Sequence, residues 1–514
     1  MDNALPESGV APAILRRRLP DRVAATAVFL SAGAVLVLEV VGLRLVGPYL
    51  GVTLQTSSAV IGIALGAIAY GAWTGGWLAD RADPRRLLPA AFLLAAVATA
   101  LVLPAVRWSG EVLRGTGAAG ILILAMLAVF IPAALLSAIS PMVVKLQLSD
   151  VGHTGRVVGK LSGIGTLGGI SATLVTGFVL VAALPSSVIV LGLAVLLAAV
   201  GLWLYVYLRR RDPSTFHGDR RPVTGLGLLL LAGASLTLIA PNPCDIETAY
   251  HCARVEVDPD RPSGRLLLLN SARHSYVDLA DPRHLAFAYT QWLGAAVDTL
   301  PPVGAPVRVL HIGGGGFTMP RYVAATRPAS FNRVLELDGE LVALDRAELG
   351  VTPGPDLDIV VDDARMSLAR QPDHSFDLVI GDAFGHLAVP WHLTTKEFLS
   401  DVRRVLVPGG TYALNVIDYP PNRLIRAELA TVSAVFTHVA VVAPEAALAG
   451  RGRGSNFLVL ASDQPLPLAQ LRPLIATVAE PAIVLDGPEL SAFIGDARVL
   501  TDDYAPVDQL LVGP

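Results

Sequence analysis

Seven apolar stretches follow one another in the first 241 residues, each near or above the ~20 residues that an α-helix needs to cross a bilayer. They lie at about 22–47, 57–80, 86–106, 118–140, 158–183, 185–208 and 223–241. So dense a succession predicts a multi-pass transmembrane bundle over 1–241, embedded in a lipid bilayer. Charged residues are only 16% of the chain, where about 25% is usual, and aromatics are 6%. The apolar excess is therefore Ala, Val and Leu with small residues between them. Gly62 and Gly66, Gly71 and Gly75, Gly159 and Gly163, and Gly165 and Gly169 repeat a small-xxx-small spacing. That spacing predicts close backbone packing between spans. Arg16, Arg17, Arg18 and Arg22 precede the first stretch, which is too long for a signal-peptide core and lacks a cleavage site, so it is expected to stay in the mature protein.

The distribution of cations sets an orientation. Arg16 to Arg22, then Arg81, Arg85 and Arg86, then Lys145, Arg156 and Lys160, then Arg209 to Arg221 fall on one side, while Arg107 and Arg114 fall on the other. By the positive-inside rule the N-terminus is cytoplasmic, and seven crossings put everything after residue 241 outside. If segment 223–241 instead lies flat or re-enters, that region is cytoplasmic. The two cysteines of the chain, Cys244 and Cys252, follow the last span. A disulfide in an oxidising compartment and a pair of unbonded thiols are both open. Glu39 and Arg44 in the first span are expected to form a structural polar pair, with a solute site inside the bundle, or a snorkelling Arg and a Glu facing a water-filled gap, as the alternatives.

Beyond Pro241 the charged residues return, and short Val/Leu/Ile runs alternate with helix-length segments, which predicts a globular α/β domain over 242–514. Residues 307–312 form an apolar run that ends in Gly313, Gly314, Gly315 and Gly316, before a helix-like segment. A strand, a glycine turn and a helix N-terminus let backbone N–H groups approach a nucleotide or nucleoside. About 20 residues further on, the strand 333–337 delivers Glu336, where an acid can accept ribose hydroxyls. Strand 357–361 ends at Asp362, Asp363 and Ala364, and strand 376–380 at Gly381 and Asp382. These acids are expected to converge beyond the carboxyl ends of the strands, with helix caps and turns as their structural alternative. Later strands at 411–417, preceded by a turn at Pro408–Gly410, and at 437–443 and 456–461 suggest a closing hairpin of the S-adenosylmethionine type. A short hairpin, 253–257 with 265–269, precedes the sheet.

These stretches, with Arg265–Asn270, Phe287–Tyr289, Val309–Gly315, Val334–Asp338, Phe376–Asp382, Thr394–Phe398 and Thr501–Pro506, resemble the spermidine synthase family, the polyamine aminopropyltransferases, in its membrane-fused form. The resemblance implies a Rossmann-like, methyltransferase-type fold with a small N-terminal β-hairpin region. It implies transfer of an aminopropyl group from decarboxylated S-adenosylmethionine, or a related nucleoside, to an amine, releasing methylthioadenosine. Carried over by position, Gly313, Gly314, Gly315 and Glu336 would hold the nucleoside, with Asp363 and Ala364 at the adenine and His274 at a nucleoside-contacting Gln position. Asp382 would be the base and Tyr289 would line the amine pocket. An amine attacks only when neutral, so a carboxylate beside it must take the proton as the C–N bond forms.

The departures fall in the amine half. Gly316 and Gly385 stand where the family carries Asp, and Ala295 where it carries a His. A dicationic diamine needs several carboxylates, each charge-assisted contact being worth roughly 1.5–3 kcal/mol, so the acceptor stays open. A catalytically inactive nucleoside sensor, a transporter accessory and an S-adenosylmethionine-dependent methyltransferase are the alternative functions. The histidines lack metal-ligand spacing, so no metal is expected. The net charge of −4 offers no footprint for nucleic acid. Homo-oligomerisation is compatible with the sequence and not specified by it.

Overall fold

The computed structural model describes residues 18–114, 116–148, 154–213, 221–270, 272–384 and 389–511. The chain divides into two compact units, one up to Cys252 and one from Ala253.

Among the described residues, six helices of the first unit are long and apolar enough to cross a membrane: α1 (Asp21–Leu50), α2 (Leu54–Arg81), α3 (Pro84–Leu113), α4 (Ala118–Gln147), α5 (Thr154–Ala183) and α6 (Ser186–Arg211). Seven were expected. The seventh segment forms α7 (Arg221–Ile239), of which only Gly227–Ile239 qualifies as an apolar helix, and a short one. Its first turns carry Arg221, Pro222, Thr224 and Gly225, which dilute the apolar run.

The glycine spacing has a mixed outcome. A Cβ at Gly71 would lie 2.1 Å from the Ala134 carbonyl oxygen, and one at Gly75 2.5 Å from the Ala138 Cα, so α2 and α4 touch backbone to backbone there. A Cβ at Gly165 would lie 3.3 Å from Val28 of α1, and one at Gly169 3.5 Å from Leu36, so α5 lies close to α1 there. Gly62, Gly66, Gly159 and Gly163 meet nothing within 4 Å, because their helix faces point out of the bundle. Outward faces elsewhere on the bundle carry large apolar side chains, Phe178 at 80% and Leu238 at 87% exposure among them.

Polar contacts mark the two ends of the bundle. At one end Arg85 pairs with Asp212, Lys145 with Asp80 at 2.8 Å, and Lys160 with Asp21 at 2.7 Å. At the other, Arg44 pairs with Glu247 at 3.1 Å and donates to the carbonyls of Ala249 and Thr248. The expected partner of Arg44 was Glu39; the chain beyond α7 supplies a carboxylate and two carbonyls instead. Glu247 also accepts from the Ser186 backbone at 3.0 Å and from its hydroxyl. Cys244 and Cys252 form a disulfide at this same end, which closes the alternative that the sequence left open.

Where the chain passes into the second unit, strands β1 (Ile246–Glu247), β2 (Cys252–Val257), β3 (Gly264–Leu269) and β4 (Ala272–Asp278) pair in that order in one small sheet, two strands more than the expected hairpin. The main sheet has eight strands: β5 (Arg308–Ile312), β6 (Phe331–Glu336), β7 (Leu357–Val361), β8 (Phe376–Gly381), β9 (Leu406–Asp418), β10 (His438–Ala443), β11 (Ser455–Ser462) and β12 (Ile483–Asp486). Their order is β12-β10-β11-β9-β8-β5-β6-β7, parallel from β7 to β9 and antiparallel beyond, a Rossmann-like methyltransferase-type sheet. β12 was not foreseen. Pro408–Gly410, read as a turn, lies within β9, where the pairing with β8 jumps from Phe376↔Leu406 to Leu378↔Thr411 and absorbs the extra residues. Val309, Leu310, Val334, Leu335, Val379 and Ile380 are all buried at its centre. The connections leave β5 toward β6 and β7 and return to β8 on its other side. A crevice therefore opens between the carboxyl ends of β5 and β8.

Candidate functional site

The glycine turn after β5 is built for close approach. Gly313 has φ +93°, and a Cβ there would lie 2.6 Å from the Asp382 carbonyl oxygen. Gly315 has φ +48°, and its Cβ would press on the Ser275 hydroxyl at 2.8 Å and the His274 ring at 3.1 Å. Any other residue at either place would combine a left-handed backbone with a clash. The turn leads into helix α9 (Thr318–Thr326), with the Ser275 hydroxyl accepting from the Gly316 N–H at 3.0 Å.

Glu336 ends β6 beside the turn. Its carboxylate accepts from the N–H groups of Gly314 at 2.7 Å, Gly315 at 3.4 Å and Asp338 at 2.9 Å. Burial pushes its pKa up, and the three N–H donors pull against that. Behind it, on α10 (Gly339–Glu348), Asp345 is fully buried with neither carboxyl oxygen hydrogen-bonded. Burial, then the neighbouring Glu336, push Asp345 up to about 8.

Asp382 follows β8. Its Oδ1 accepts from Asn415 Nδ2 at 2.8 Å and its Oδ2 from the Tyr289 hydroxyl at 3.3 Å. Burial raises Asp382 to about 6, with both hydrogen bonds opposing. A carboxylate so tuned can accept a proton near neutrality and release it again. Tyr289 sits on α8 (Ala288–Thr299) and is raised well above its ordinary value by burial and by the facing Asp382.

The geometry thus brings Gly313, Gly314, Gly315, Glu336, His274, Tyr289 and Asp382 to one crevice. Asp363 and Ala364 stand one strand further out. Asp363 caps α11 (Ala364–Ala369) by accepting from the Met366 N–H at 3.0 Å, and lies 3.5 Å from His392 Nε2. Two of the family departures are placed: Gly316 fits against the Ser275 Cβ, where a new Cβ would come within 2.9 Å, and Ala295 is buried in α8. Gly385 lies outside the described residues. Asn415, Asn456, Ser275 and His392 are site residues that the sequence reading missed. A buried Asn in the apolar run of β9 was the available signal for the first. His311, inside the glycine motif, is a core residue whose Nε2 meets Asn332 Oδ1 at 2.9 Å, and burial lowers it to about 4. Among the described residues no three His, Cys, Asp or Glu side chains cluster as metal ligands.

No model of a known protein family matches the sequence. Among curated proteins, the polyamine aminopropyltransferase of Vibrio vulnificus is 27% identical over 218 residues, 40% of this chain and 70% of that protein. That of Chromobacterium violaceum is 26% identical over 161 residues, 31% of this chain and 60% of its own length. Among solved structures, a probable spermidine synthase from Corynebacterium glutamicum is 31% identical, with 50% of this chain and 95% of that chain covered and a TM-score of 0.47. The chain belongs to the spermidine synthase family. Its relatives carry the name of a transferase, in line with the transferase chemistry expected from the sequence.

Proposed function

We propose that the chain is a multi-pass membrane protein whose α/β domain transfers an aminopropyl group from decarboxylated S-adenosylmethionine to an amine. The observation that carries this reading is the meeting, at one crevice, of the glycine turn with Glu336 and the Asp382–Tyr289 pair. Glu336 would exchange its backbone donors for ribose hydroxyls, and Gly313–Gly315 with His274 would border the nucleoside. Asp363 and Ala364 would border the adenine. The neutral amine would attack the carbon next to the sulfonium, forming C–N as C–S breaks and methylthioadenosine leaves. Asp382 would take the proton that the amine nitrogen sheds, and Tyr289 would line the acceptor side. With glycine at 316 and alanine at 295, the acceptor pocket carries fewer polar groups than its family, which suits an amine with one positive charge better than a dicationic diamine.

The test is methylthioadenosine release by the detergent-solubilised chain given decarboxylated S-adenosylmethionine and a panel of mono- and diamines. Release should be lost in Asp382→Asn. Methylthioadenosine binding by calorimetry should survive that change and disappear in Glu336→Ala. Binding that survives Glu336→Ala would overturn the nucleoside assignment, and no release with any amine would overturn the transferase reading.

We also read the bundle as crossing seven times. Nineteen residues of α7 extend about 28 Å at 1.5 Å per residue, close to the ~30 Å hydrocarbon thickness. Arg107, near the end of α3, donates to the Thr237 carbonyl at 3.1 Å, so α7 finishes at the end of the bundle away from Arg85 and Lys145. Seven crossings from a cytoplasmic N-terminus would put the α/β domain outside, and the disulfide suits an oxidising compartment. That placement favours one alternative, a domain that senses an external nucleoside, which would bind methylthioadenosine without releasing it from the larger co-substrate.

A further inference from the structure

The carboxyl of Asp382 is held by more than its immediate neighbours. Asn415 stands on β9, where the parallel pairing sets Gly381 beside Leu414, so the residues that follow, Asp382 and Asn415, come side by side. Across β9, the antiparallel strand β11 pairs Leu458 with Asn415 and Asn456 with Ile417. Asn456 is therefore the diagonal neighbour of Asn415 on one face of the sheet, within reach of its amide. The start of β11 is fixed by Gly454, at φ +112°, where a Cβ would lie 2.5 Å from the Tyr419 ring. From this position Asn456 Nδ2 donates to Asn415 Oδ1 at 2.9 Å, and Asn415 Nδ2 donates onward to Asp382 Oδ1 at 2.8 Å.

The direction of this chain has a chemical consequence. An amide can present either its oxygen or its nitrogen, and only the network decides which. With Asn456 donating into its oxygen, Asn415 has its nitrogen left for Asp382. Reversed, it would set its NH2 against that of Asn456 and its oxygen against a carboxylate, losing both bonds.

We propose that Asn456 is a positioning residue that acts through Asn415: by fixing the direction of the Asn415 amide, it keeps Asp382 in the ionised, proton-accepting form. The proposal rests on Asp382 being the base of the reaction. Asp382 is otherwise faced by Tyr289 from α8, its titratable neighbour among the described residues, and by the backbone of the glycine turn at Gly313. Burial is the force that the relay opposes. A donor to a carboxylate favours its charged form, whereas a carbonyl oxygen in the same place favours the protonated one.

The test is an infrared titration of the Asp382 carboxyl in the full chain in detergent, taken as the difference from Asp382→Asn. The wild-type midpoint should lie near 6. Asn456→Leu removes the donor without adding charge, and should raise the midpoint by about one pH unit, a tenfold change in proton affinity. Asn456→Asp, which forces the Asn415 amide to turn round, should raise it further. Asn456→Gln keeps a donor and should restore much of the wild-type value. Circular dichroism and the unfolding temperature identify any variant that has not folded, and Asn415→Ala then supplies the comparison. Midpoints unchanged in both Asn456→Leu and Asn456→Asp, with Asn415→Ala shifted, would overturn the proposal, because Asn415 would then act alone. Product release reports separately: shifted midpoints in a chain that releases no methylthioadenosine would uphold the relay and remove the base assignment beneath it.

Discussion

The chemistry of single groups sets the pH behaviour. Asp382, held near 6 by burial, must be ionised to accept a proton, so methylthioadenosine release should fall about tenfold per pH unit below 6 and level off above it. Steady-state rates from pH 5 to 8 at saturating co-substrate check this; a limb centred near 4 would mean that the carboxylate is solvated in the working enzyme. Asp345 gives a prediction about stability. Its folded value, near 8, is above the ordinary carboxylate value of about 3.9, so the native state binds the extra proton between those limits. Its contribution is present below pH ~4 and declines as pH rises toward 8. Asp345→Asn removes the titration, and its unfolding temperature should fall less than that of wild type between pH 5 and 8. Parallel curves for the two proteins would show that Arg321, its oppositely charged neighbour, holds the carboxylate ionised. Asp345 and Asn456 did not stand out in the sequence, and Asn415 did so only as an Asn within an apolar run. A lone polar residue in a helix or an apolar strand reads like any surface residue until packing shows that no water reaches it.

At the scale of elements, the strands that carry the site were legible because each is a short apolar run ending in a glycine or an acid. β5, β6, β7 and β8 fall within a few residues of their expected positions, and with them Gly313, Glu336, Asp363 and Asp382. What periodicity could not supply was pairing. The register jump that draws Pro408–Gly410 into β9, and the diagonal that joins Asn456 to Asn415, are relations between strands far apart in sequence. The glycine turn gives the sharpest element-scale prediction. Gly313→Ala would force a Cβ against the Asp382 carbonyl from a left-handed backbone, at a cost of about 1 kcal/mol for the backbone alone. The contact displaces Asp382 and the turn together. Methylthioadenosine binding and amine transfer should therefore both fall, whereas Gly304→Ala, at φ +73° with nothing within 4 Å, should only lower the unfolding temperature. Calorimetry of both variants checks this, and retained binding in Gly313→Ala would mean that the turn yields easily.

For the whole molecule, the hardest quantity to read from sequence was parity: six crossings or seven. Hydropathy cannot settle it, since α7 begins with Arg221 and Pro222 and only its later part is strongly apolar. The polar ends of the bundle are more informative, because the pairs of Arg85, Lys145 and Lys160 mark one end while Arg44, Glu247, Ser186 and the disulfide gather at the other. A chain that entered and left on the arginine-rich side would bring Glu247 to Arg85 and not to Arg44. An outward-facing domain also strains the enzymatic reading, because its nucleoside is made in the cytoplasm and would have to be exported or scavenged. Cys244 and Cys252 are the whole cysteine content, so thiol labelling of intact cells reads the position of the domain without further engineering. An impermeant maleimide should label nothing at first, and should label the chain once an impermeant reductant has opened the disulfide. Protection before and after reduction, with labelling only in lysed cells, would place the domain inside. The count would then be six crossings, with α7 not spanning, and the cytoplasmic supply of nucleoside would make the transferase reading the simpler one.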